Sequence, residues 1–93
     1  MNTANLQLDG LVMAVAELTN MAVDKGLFTH QEVTVALTRA EDGVQIAEPS
    51  NLSDANQAAK LFPIRVLHLA NQAAQRKERF TFTDYAELVG KLT

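Results

Sequence analysis

Lys25-Gly26-Leu27-Phe28-Thr29-His30-Gln31-Glu32-Val33 ends one helix and starts another. Gly26, preceded by Lys25, is a stop signal, because glycine enters the left-handed conformation that closes a helix without steric cost. Thr29 and Glu32 have the spacing of a capping box, in which the hydroxyl accepts from the Glu32 backbone N–H while the carboxylate reaches back. Phe28 and Val33 flank the box as a hydrophobic staple. Such a start is worth on the order of 1 kcal/mol and places a helix from His30 onward.

Upstream of this joint Leu8, Leu11, Val12, Val15, Leu18, Ala22 and Val23 recur at steps of three and four. That spacing predicts a first helix from about Leu6 to Lys25 with a wide apolar face. Its opposite face collects Asp9, Glu17, Asn20 and Asp24, with Met13 in their midst. Downstream, Val33, Ala36, Leu37 and Ala40 form the stripe of the second helix. Asp42-Gly43 reads as its end, although Val44 and Ala47 would continue the stripe.

Pro49 to Ser53 reads as a loop, with Ser53 capping a short helix from Asp54 to about Leu61. Pro63 lacks an N–H and crowds the carbonyl four residues back, which predicts a break or kink. From Pro63 to about Lys77 the apolar residues Ile64, Val66, Leu67, Leu69, Ala70, Ala73 and Ala74 cover more than half of the helical wheel. A helix patterned in that way is surrounded by neighbours. Phe80 and Thr81 then precede Asp84 and Tyr85 as Phe28 and Thr29 precede Glu32 and Val33, opening a last helix through Leu88, Val89 and Leu92. No segment alternates over a strand length. The expected fold is all-α, one domain over residues 1–93, a compact bundle of about five helices. The echo between the Thr29 and Thr81 starts suggests two helical hairpins joined by the short helix at Asp54.

Composition narrows the function classes. A chain of 93 residues, 47% hydrophobic and 20% charged, supports one core and lies far from the disorder signature. The absence of cysteine excludes disulfides, thiolate zinc sites and a cysteine nucleophile. A net charge of -3 argues against general affinity for nucleic acid or anionic membrane. The charge is uneven: residues 1–59 carry Lys25 and Arg39 against eight acidic side chains, and residues 60–93 carry six basic against three acidic. Oppositely charged helices are expected side by side. No run reaches the roughly 18 consecutive apolar residues of a membrane span, and no basic region precedes an apolar core, so the expectation is a cytoplasmic protein without a membrane partner.

No catalytic, cofactor or metal constellation stands out. The carboxylates Asp9, Glu17 and Asp24 are about two turns apart and cannot share an ion along one helix. Ser50 and Ser53 sit in no nucleophile elbow, and the glycines form no phosphate-binding loop. His30 reads as a solvated first-turn residue. His68 lies on a polar stripe with Arg65, Gln72 and Arg76, continued by Gln75 and Arg79, which has the pattern of a polar groove for an anion or a partner's carboxylates. Met13, Val35 and Ile46 are apolar positions off the main stripes and therefore candidate partner contacts. These features predict a non-enzymatic helical domain that acts through protein contacts, self-association as a homodimer included. The alternative is a small regulator touching nucleic acid through Arg65, Arg76, Lys77 and Arg79. Against it, the helix after the Gly26 turn carries Arg39 alone against Glu32, Glu41 and Asp42.

Overall fold

A computed structural model describes residues 3–47 and 54–92, the side chains of 46, 47, 54, 55 and 92 excepted. Among the described residues the chain forms α1 (Thr3–Asp24), α2 (His30–Ala47), α3 (Asp54–Gln75) and α4 (Phe82–Leu92), with no strand. The architecture is all-α, with four helices in place of the expected five.

The difference arises at Pro63, which lies inside a continuous α3. An interior proline costs a helix about 3 kcal/mol. Here it is embedded between Leu61 and Val66, both buried, and Phe62 meets Phe82 of α4 edge-to-face at 6.0 Å. Tertiary burial on both sides of the proline outweighs the lost backbone bond. The short helix expected at Asp54 is thus the first part of α3, and the hairpin linker it was to provide does not exist separately. The loop expected from Pro49 to Ser53 lies outside the described residues. α2 likewise runs on through Gly43 to Ala47, carried by the half-buried Val44 that continues its apolar stripe.

α3 is the hub, packing against α1, α2 and α4. One core cluster gathers Val12 and Ala16 of α1, Val66, Ala70 and Ala73 of α3, and Tyr85 and Val89 of α4. Phe62, Leu67, Leu69 and Phe82 pack around it.

Both expected helix starts form. The Thr29 N–H donates to Glu32 Oε1 at 2.9 Å and the Glu32 N–H to Thr29 Oγ1 at 3.0 Å. At the second start the Thr81 N–H donates to Asp84 Oδ2 and the Asp84 N–H to Thr81 Oγ1, each at 3.1 Å. The helices before them end alike. Gly26 at φ 80° donates to the Val23 carbonyl and Leu27 to that of Ala22, while Lys77 at φ 60° donates to Ala74 and Glu78 to Ala73. These are two Schellman motifs. Counted from the left-handed residue to the capping threonine, the second joint is one residue longer than the first.

Candidate functional site

Two polar contacts join α2 to α3, one centred on Asn71 and one on His68. Asn71, only 4% exposed, was not singled out by sequence, yet it is the buried polar residue of the bundle among those described. Its amide nitrogen donates to the His30 carbonyl and to Thr34 Oγ1, each at 3.0 Å, and its Oδ1 lies 2.7 Å from His30 Nδ1. An amide oxygen only accepts, so this contact requires the proton on Nδ1. His30 is therefore a half-buried partner of Asn71 rather than a solvated first-turn residue. The signal that could have pointed to Asn71 is an amide beside Ile64, Leu67 and Ala74 on the helical wheel of α3.

The expected polar stripe falls along α3 with unequal surroundings. His68 Nε2 faces Glu41 Oε1 of α2 at 3.3 Å. Arg65 is half-buried, whereas Gln72 and Arg76 are exposed. Arg76 pairs with Glu78 at 2.7 Å, and Arg79 reaches Glu17 of α1 at 3.3 Å. Two cations of the nucleic-acid alternative are thus matched by carboxylates of their own chain. A polar hollow beside the two joints is lined by Asn20, Asp24, His30, Lys77, Glu78 and Arg79, with both charge signs on its wall.

Of the candidate partner contacts, Met13 is half-buried and packs on the core cluster, which accounts for an apolar residue on the acidic side of α1. Val35 is 47% exposed on the side of α2 away from its stripe. The Ile46 side chain lies outside the described residues.

Five exposed large hydrophobics, Leu6, Leu11, Val15, Leu18 and Met21, lie on α1, and Leu11, Val15 and Leu18 are at positions that the sequence pattern assigns to the buried face. Val12 and Ala16 enter the core, but Leu11 and Leu18 are 64% and 66% exposed, and Met21 56%. The reason is geometric. At 100° per residue Val12 and Ala16 lie on one side of α1, toward α3, while Leu11, Val15 and Leu18 lie about a quarter-turn away. α3 covers the first set and leaves the second open. The open set has a seven-residue repeat, with Ala4, Leu11 and Leu18 in one register and Ala14 and Met21 three residues after the leucines. All five are exposed. Between α1 and α2 lies a groove lined by Thr19, Phe28, Glu32, Val33, Ala36 and Leu37. By length and composition α1 is also long and apolar enough to cross a membrane.

Comparison with known proteins returns no matching family model, no similar curated protein and no similar solved structure.

Proposed function

We propose that this chain is a non-enzymatic helical interaction domain that works by covering the outer face of α1 with a protein surface. The observation that carries the reading is the exposed seam Leu11–Ala14–Leu18–Met21, an uninterrupted apolar strip on a helix whose other side is already in the core. Surfaces of that kind mark protein or membrane contact. Asp9, Glu17 and Asp24 on the same helix, opposed by Lys25 alone, favour protein over an anionic lipid surface. His30, Asn71, His68 and Glu41 are engaged in holding α2 to α3, which supports a role through contacts rather than bond chemistry.

Photo-cross-linking in the native cell tests the reading. A photoreactive residue in place of Leu18 is expected to give a protein adduct, with none from the same residue in place of the exposed Asp42. No protein adduct at position 18, or lipid adducts only, would refute it.

A further inference from the structure

Resting on that reading, we infer that the protein surface covering α1 is a second copy of this chain, with the two α1 helices packed antiparallel about a twofold axis near Ala14 and Val15. The middle of the exposed face, Leu11 to Leu18, is nearly the same when read in either direction, whereas Gln7 and Met21 outside it are not matched. Leu11 and Leu18 stand equidistant from the Ala14–Val15 midpoint, so reversing the helix sets Leu11 on the partner's Leu18 and Leu18 on the partner's Leu11. A twofold interface needs such a self-complementary patch. Between the two leucine contacts, about 10 Å apart along the axis, Ala14 is small enough to let the backbones approach.

The charges choose the direction. No charged residue lies among the exposed seam positions until Lys25, seven residues after Leu18. A parallel pair would set Lys25 against its own copy and align the two helix dipoles. The antiparallel pair places Lys25 beside the partner's Ala4 and brings the negative end of each helix to the positive end of the other. Glu17, the carboxylate nearest the seam, already faces Arg79 at 3.3 Å within its own chain.

The chain has no cysteine, so a nitroxide attached through Lys25→Cys reports a single position. Antiparallel packing puts the two labels about 30 Å apart along the helix axes, and parallel packing brings them within roughly 10–15 Å. A pulsed dipolar distance near 30 Å is expected. A short distance, or no coupling at high protein concentration, overturns the inference.

Charge exchange gives an independent reading by sedimentation equilibrium, with circular dichroism to verify that each variant is helical. Leu11→Lys and Leu18→Glu singly should each weaken the dimer roughly tenfold or more. Combined in one chain they should restore it, because only the antiparallel pair brings each new ammonium to a new carboxylate. Singles that still dimerise normally, or a double variant as dissociated as the singles, overturn the geometry. A cross-link from position 18 to a different protein alone overturns the second copy as partner and leaves the interaction reading standing.

Discussion

The joint at Gly26 and the joint at Lys77 close with the same pair of backbone hydrogen bonds and reopen with the same reciprocal box, yet one has glycine and the other lysine in the left-handed conformation. For a residue with a Cβ that conformation costs roughly 1–2 kcal/mol. The second joint sits where the tertiary anchor is stronger. Its staple residue is Tyr85, a member of the core cluster whose hydroxyl accepts from the Phe80 N–H at 3.1 Å and whose ring meets Phe80 edge-to-face at 5.9 Å. The staple of the first joint is Val33, buried but outside that cluster. A strained backbone is held where packing over-determines it, and an unstrained one suffices where packing is lighter.

Removing the anchors breaks this comparison most severely. Tyr85→Ala should lose about 3–5 kcal/mol in denaturant unfolding and Val33→Ala about 2 kcal/mol. Equal losses would show that the two joints are anchored alike. Exchanging the left-handed residues acts next. A Cβ at Gly26 meets no atom within 4 Å, so Gly26→Ala should lose about 1 kcal/mol through backbone strain alone, and Lys77→Gly should gain up to about 1 kcal/mol. A loss on Lys77→Gly would mean that the lysine side chain contributes more than its conformation costs. The smallest contrast is at the caps, where Thr29→Ala and Thr81→Ala should each cost about 1 kcal/mol and differ by less than about 0.5 kcal/mol.

The two helix starts and the Gly26 stop were the part of the fold most legible in the sequence, because staple, box and glycine are all local, whereas nothing in the sequence marked Lys77 as a left-handed residue. The extent of the helices was less so. Whether Pro63 or Gly43 ends a helix depends on what Leu61, Val66 and Val44 bury against, and that is decided by distant chain. The His30–Asn71 contact spans 41 residues and leaves only the faint trace of one amide beside Ile64, Leu67 and Ala74 on the helical wheel. The candidate face was half legible. The pattern marks Leu11, Val12, Val15 and Leu18 as one wide stripe, but where α3 divides it into a covered and an open half is a matter of packing.

Asn71 also carries information as well as stability. Val33, Leu37 and Val44, the buried and half-buried residues of the α2 stripe, are all aliphatic, and apolar contact is non-directional and does little to fix the register of one helix on another. A one-turn slip would offer Asn71 Thr34 and Thr38 in place of His30 and Thr34. No imidazole N–H would then reach its Oδ1, and a buried acceptor left bare costs about 1–3 kcal/mol. One amide thereby distinguishes the native alignment of α2 on α3 from its nearest competitor.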